Sequence, residues 1–336
     1  MYNGTKVLDV HGHVSAPGGG FATLLLSSNT ASPSPIASGS GRGEYSDEAF
    51  HERFNHHLNY MTEREIDVQV IGPRPFTMLG FMAKHLLPSW TAFTNDRIHK
   101  QCAWRPDKFL GAAMLPQIAS APDISHCLPE LERCVKDCGF VATYVSPDPT
   151  GLRDSPGMHE SYWYPLYEYC QRNGLPIIVH GTNCQDPRIS IVRANYQIGF
   201  TVEEWIAGLL FAHSDVFEKF PELKVVICHG GGALDRFVEE AGWRNGRGKD
   251  LSKNLFYDSC TYDPVYLEAM IKQRGVNQVL FGSEAPGSGG AVRKDTGKSS
   301  DHLIPVIAGF GFLSEEEKVK IVNKNPAKVF PKLATK

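Results

Sequence analysis

Short runs of apolar, β-branched residues recur along the chain, at 6–14, 68–74, 109–115, 140–146, 176–180, 224–229, 255–260 and 278–284. Each is close to continuously apolar rather than alternating. That pattern predicts strands covered on both faces, and hence a parallel sheet. Between the runs, apolar residues return at helical spacing. The stretch 47–66 carries Phe50, Phe54, Leu58 and Met61, and 87–105 carries Trp90, Phe93, Ile98 and Cys102. Further helices are predicted at 121–137, 161–173, 201–219 and 262–274. Strand–helix alternation repeated in this way predicts an α/β fold, a (β/α)8 TIM barrel. The pairs Asn173-Gly174 and Phe220-Pro221 end helices just before the next strand begins. Ser314, ahead of Glu315-Glu316-Glu317, reads as the cap of a late helix, and Asn325-Pro326 opens a short final one through Phe330.

Two stretches depart from the repeat. Residues 15–46 are rich in Gly, Ser, Pro and Ala and follow the first strand directly. On a barrel that is the catalytic face, so a lid or substrate-covering loop is expected there, with an insertion of no role as the other reading. Residues 285–300 form a second Gly-rich loop, which lacks the Gly-Lys-Ser/Thr spacing of a phosphate-binding loop. The expected organisation is one barrel domain over 1–336 with 15–46 inserted.

Composition narrows the classes. With 336 residues, 42% hydrophobic and 21% charged, a core able to enclose a buried site is expected. A net charge of −3 without a long basic run argues against nucleic acid as a partner. No apolar stretch reaches the roughly 18 residues of a membrane helix. Met1 to Lys6 lacks the basic start and apolar core of a signal peptide, so a cytoplasmic protein is expected. The eight cysteines then read as reduced thiols, and Cys134 and Cys138 lack the second pair a zinc site needs.

The polar residues at the strand ends carry the chemistry. His11 and His13 lie two apart on strand one and aim the same way. Strand five ends in His180, strand six in His229 ahead of Gly230-Gly231-Gly232, strand eight in Glu284 and strand two in Arg74. Barrel active sites are built at these ends. Three histidines and a carboxylate suit one divalent ion, zinc first and manganese second. The expected ligands are His11, His13, His180 and Glu284, with His229 as a non-ligand acid/base. The alternative makes His229 the ligand and Glu284 the base. Arg74, and less directly Arg193, could hold a substrate carboxylate in a bidentate pair, against an ordinary ion-pair role for either.

Four stretches carry a family resemblance: Asp9-Val10-His11-Gly12-His13, Pro176-Ile177-Ile178-Val179-His180-Gly181, Leu223 to Gly232, and Leu280-Phe281-Gly282-Ser283-Glu284-Ala285-Pro286-Gly287. Together they resemble the amidohydrolase superfamily over roughly 6–14 and 47–334. The branch is the one holding aminocarboxymuconate-semialdehyde decarboxylase, the aromatic-acid decarboxylases and 4-oxalomesaconate hydratase. The decarboxylases usually carry Asp at the strand-eight position, where this chain has Glu284. Glutamate there is similar to the hydratase subgroup, in which that carboxylate is a metal ligand. The same resemblance points to Tyr196 as a proton donor, a position that chemistry alone would assign to packing.

The resemblance implies a metal-dependent lyase acting on a small-molecule carboxylic acid, in a chain that forms homo-oligomers. Hydration of an unsaturated keto-diacid in aromatic-compound catabolism comes first. The metal would polarise the substrate and acidify water, His229 would take the water proton, and Tyr196 would protonate carbon. Non-oxidative decarboxylation of an aromatic or muconate-type acid is the alternative. Hydrolysis of a lactone or amide comes third, because Val141-Ala142-Thr143-Tyr144-Val145 supplies no lysine for a binuclear site. A metal-containing barrel used for binding alone is the non-enzymatic reading. Phe76, Trp163 and Tyr262 are expected, with 15–46, to shape the pocket.

Overall fold

Eight parallel strands follow one another in chain order around a barrel: β1 Leu8–His13, β2 Val68–Gly72, β3 Phe109–Ala113, β4 Ala142–Val145, β5 Ile177–Val179, β6 Val225–Ile227, β7 Leu255–Asp258 and β8 Val279–Leu280. The ring closes between its last and first strands. Val10 N–H donates to the Phe281 carbonyl at 3.0 Å, and Glu284 N–H donates to the His11 carbonyl at 2.8 Å. This computed structural model describes residues 1–15, 47–182, 188, 195–235, 250–294 and 296–336. The inserted stretch expected to form a lid lies, from residue 16 on, outside the described residues.

Both faces of the strands are buried, which is why the sequence runs are continuously apolar. One alternate set, including Val10, Val70, Tyr144, Ile178, Val226 and Phe256, fills the barrel and is closed at one end by Val329, Phe330 and Leu333. The other set, including Ile71, Phe109, Val145, Val179 and Ile227, packs outward against helices. These helices are α1 Asp47–Glu63, α2 Leu87–Trp104, α3 Leu128–Lys136, α4 Tyr164–Asn173, α5 Asn195–His213, α6 Val216–Lys219, α7 Pro264–Arg274, α8 Ile304–Gly309, α9 Glu315–Val319 and α10 Asn325–Val329. None of them is long and apolar enough to cross a membrane.

Boundaries differ from the sequence expectation in ways that matter for the site. The late strands are shorter than their apolar runs, so His180, His229 and Glu284 sit on the connections beyond the ladder rather than at its last rung. His229 has φ of 50° and Glu284 φ of 58°, a left-handed conformation that leaves the strand path. The predicted helix 121–137 begins as a 3-10 turn, Ile124–Cys127, and 161–173 begins likewise at Ser161–Trp163. The predicted helix 201–219 starts earlier, at Asn195, and breaks before Val216. Helix α8 went unread because six residues hold too little of a helical period. Ser314 caps α9 as expected: its hydroxyl accepts from Glu317 N–H while the Glu317 carboxylate accepts from Ser314 N–H.

Candidate metal centre

β1 carries an irregular register between Asp9 and Gly12, where it gains one residue over β2. Gly12 is required there, since a Cβ would lie 2.3 Å from Gln69 Cδ. His11 and His13 both enter the mouth of the barrel. His180 joins them from the connection after β5 and His229 from the 3-10 turn after β6. Ring centroids are 5.1 Å apart for His11 and His13, 5.0 Å for His11 and His180, and 4.9 Å for His180 and His229.

One nitrogen of each ring is fixed by an acceptor. His11 Nδ1–H donates to Asp258 Oδ2 at 2.7 Å, His13 Nδ1–H to the Pro73 carbonyl at 2.9 Å, and His180 Nδ1–H to the Gly181 carbonyl at 2.5 Å. The Nε2 lone pairs are thereby exposed toward one another. All three Nε2 atoms are buried and have no hydrogen-bond partner among the described residues. Three orphaned imidazole nitrogens facing one point are what a cation requires and what an apolar core would not tolerate. Burial keeps His13 neutral, pushing its pKa down to about 4, and drives His180 well below the ordinary histidine value. Nearby, Glu284 Oε1 lies 3.6 Å from His13 Nε2 and 3.8 Å from His229 Nε2. Ligating atoms of His11, His180, His229 and Glu284 all fall within 4.8 Å of one another. The residues present therefore fit a single divalent ion, and this second grouping keeps His229 within reach of it.

The carboxylate is held by its other oxygen. Glu284 Oε2 accepts from Tyr262 O–H at 2.5 Å and from Ser288 O–H at 2.8 Å, leaving Oε1 turned to the histidines. His229 Nδ1 bonds the buried Glu204 carboxylate at 2.9 Å. Burial opposes charge on His229, but Glu204 outweighs it and raises the imidazole well above its usual range. A cavity of about 660 Å³ opens over His229, Tyr262 and Ser288, walled by Phe200, Cys260 and Tyr266. It is large enough for a small organic acid.

Residues 8–332 match the amidohydrolase family. The chain belongs to the amidohydrolase family. It is 29% identical over 302 residues to 2-keto-4-carboxy-3-hexenedioate hydratase of Sphingobium sp., covering 87% of each chain. Against the solved structure of 4-oxalomesaconate hydratase from Rhodopseudomonas palustris it is 30% identical, with a TM-score of 0.82 over 98% of this chain and 97% of that one. It also resembles 2-amino-3-carboxymuconate-6-semialdehyde decarboxylase of Dictyostelium discoideum, at 23% identity over 68% of this chain and 65% of the other. This amidohydrolase is thus a metal-dependent enzyme of the lyase class, like these relatives.

Of the residues singled out in the sequence, the structure brings together His11, His13, His180, His229 and Glu284. Arg74 stands beside them: its Nε donates to the Val14 carbonyl at 3.0 Å, and it lines a second cavity with Pro286 and Gly287. Tyr196 lies in α5, but its side chain is outside the described set, as is that of Phe76. Arg193 lies outside the described residues altogether. Tyr262 does line the large cavity. Trp163 does not shape either of these cavities. It is fully buried in the outer core, with its indole N–H on the Pro156 carbonyl, because the turn opening α4 directs it inward.

The residues missed from sequence are those that aim the candidate site histidines. Asp258 orients His11, and Glu204 orients His229. Asp9 accepts from His11 N–H, Ser283 N–H and O–H, and Gln69 Nε2–H, tying β1 to the Glu284 connection. An acid at the inner end of a fully buried strand, as Asp258 is, is a signal that could have been used. Glu204 gave none, lying on a helix among ordinary surface-like spacing.

Proposed function

We propose that this amidohydrolase is a mononuclear metal-dependent hydratase that adds water to the C=C bond of an unsaturated keto acid bearing more than one carboxylate. His11, His13, His180 and Glu284 would hold the ion, zinc first by its preference for imidazole and carboxylate, manganese second. The observation that carries this reading is the set of three orphaned Nε2 atoms facing Glu284 Oε1. When bound, the ion supplies Lewis acidity and acidifies water. His229, held through Nδ1 by Glu204, presents Nε2 toward the site; a divalent charge beside it would disfavour the imidazolium that Glu204 otherwise supports, leaving Nε2 as the base that takes a proton from the attacking water. Tyr196 is the proposed donor to the carbanionic carbon, and Arg74, with Arg193, the proposed anchor for a substrate carboxylate. Conjugation of the double bond to a carbonyl makes the distal carbon electrophilic and spreads the charge that forms.

Two observations favour hydration over decarboxylation. The similarity to hydratases spans nearly the whole chain. The metal-facing carboxylate is also a glutamate, whose second oxygen is occupied by Tyr262 and Ser288. The test is to incubate zinc- or manganese-loaded protein with unsaturated keto-diacids and with hydroxybenzoates. Loss of the enone absorbance without carbon dioxide release is expected. Carbon dioxide release from either class, with no hydrated product, would replace this reading with the decarboxylase one.

A further inference from the structure

Beside the metal centre lies a second cavity of about 300 Å³, walled by Arg53, His56 and Tyr60 of α1, by Arg74, and by Pro286 and Gly287 just past Glu284. Among the described residues, no Asp or Glu lines it. Arg74 is largely sequestered, and burial lowers its pKa. It feels the charge of Glu284 but makes no ion pair with it or with any other described carboxylate. Its bonds are to two main-chain carbonyls, Val14 at 3.0 Å and, at a long 3.5 Å, Pro286. That leaves Nη2 without a protein partner among the described residues. Arg53 likewise has no carboxylate partner among them. Arg74, partly desolvated, and Arg53, at the exposed rim, put two guanidinium groups on one cavity with no counter-charge among the described residues, an arrangement that a bound anion relieves. The fork geometry of arginine matches a carboxylate in particular, and the Tyr60 hydroxyl and His56 ring add further donors.

We propose that Arg53, His56, Tyr60 and Arg74 form a carboxylate subsite, so that the substrate of this enzyme carries a carboxylate on the α1 side of the metal centre, separate from the groups that face His11, His13 and His180. This rests on the hydratase reading for the identity of the reaction, but the subsite is a binding claim of its own. It restricts the substrate class to polycarboxylates. It also makes Arg53 a specificity-determining residue, one helix removed from the ligands.

The test is calorimetric titration of zinc-loaded, full-length protein with propane-1,2,3-tricarboxylate and, separately, with butanoate. Arg53→Gln and Arg53→Lys are the variants, and their fold is verified by circular dichroism. Arg53 is exposed on its helix, so both should fold. Removal of one charge-assisted fork predicts about tenfold weaker binding of the tricarboxylate by Arg53→Gln, with butanoate changed by no more than about twofold and Arg53→Lys intermediate. Tricarboxylate affinity equal in wild type and Arg53→Gln, or an equal loss for both acids, overturns the subsite. Because binding is measured without turnover, a selective loss stands even if no keto acid is hydrated. If hydration is confirmed while Arg53→Gln binds normally, only the subsite falls.

Discussion

At the residue scale, each ligand candidate is defined as much by the nitrogen that is tied down as by the one left open. Asp258→Asn keeps the shape but removes the charge that fixes the His11 tautomer. Loss of such an outer partner is expected to weaken metal binding by roughly 10- to 100-fold, read by chelator competition followed by elemental analysis. His11→Ala should retain no stoichiometric metal after the same chelator competition. Glu284→Asp should draw the carboxylate back from the histidines and from Tyr262 together, lowering metal occupancy. Unchanged occupancy and activity would remove the glutamate from the argument for hydration. His57 makes a different prediction. It is buried, its Nε2–H donates to Gln69 Oε1 at 2.7 Å and its Nδ1 accepts from Gln101 at 2.9 Å. Burial, partly offset by Gln69, lowers its pKa to about 3. The unfolded chain takes up a proton near the ordinary value, about 6.5, that the native state refuses. Stability is therefore full above that value and lost as pH falls toward about 3, by up to roughly 1.4 kcal/mol per pH unit. Urea melts at several pH values in this window should show a shallower dependence in His57→Gln.

At the element scale, the connections after the strands matter more than the strands. Gly232 has φ of +73°, and a Cβ there would lie 1.9 Å from the Thr201 carbonyl of α5. Gly232→Ala should cost at least about 2 kcal/mol in urea unfolding, combining left-handed strain with a backbone clash. The strands and most helices were legible because buried parallel strands and amphipathic helices leave strong periodic signals. The clustered histidines were legible because they stand where those signals stop. Less was visible of what depends on non-local meetings. Glu204 reaches His229 from α5, Asp258 reaches His11 from β7, and Gln69 bridges Asp9 to the Ala285 carbonyl. No spacing in the sequence encodes such pairs. Trp163 was misplaced for the same reason: an aromatic after a strand packs into the core or onto the pocket according to a turn geometry that the sequence does not spell out.

At the scale of the whole molecule, the proposed cation would bind only the folded barrel, because its candidate donors come from strands far apart in the chain. Removing it should lower the thermal midpoint, and restoring it should raise stability by about 4 kcal/mol when the free ion is a thousandfold above its dissociation constant. Calorimetric melts of chelated and zinc-loaded protein measure the difference. Equal midpoints would mean that the histidine cluster holds no metal.

The seam of the barrel gives the site a direction in time. Val10 and His11 are made before Phe281 and Glu284, the residues they bond across the seam. Closing so long a loop is slow and gains nothing until both ends are present. A chain made only through β7 has the histidines but neither the seam nor the Glu284 carboxylate, so the proposed site becomes whole only when β8 and its connection join β1.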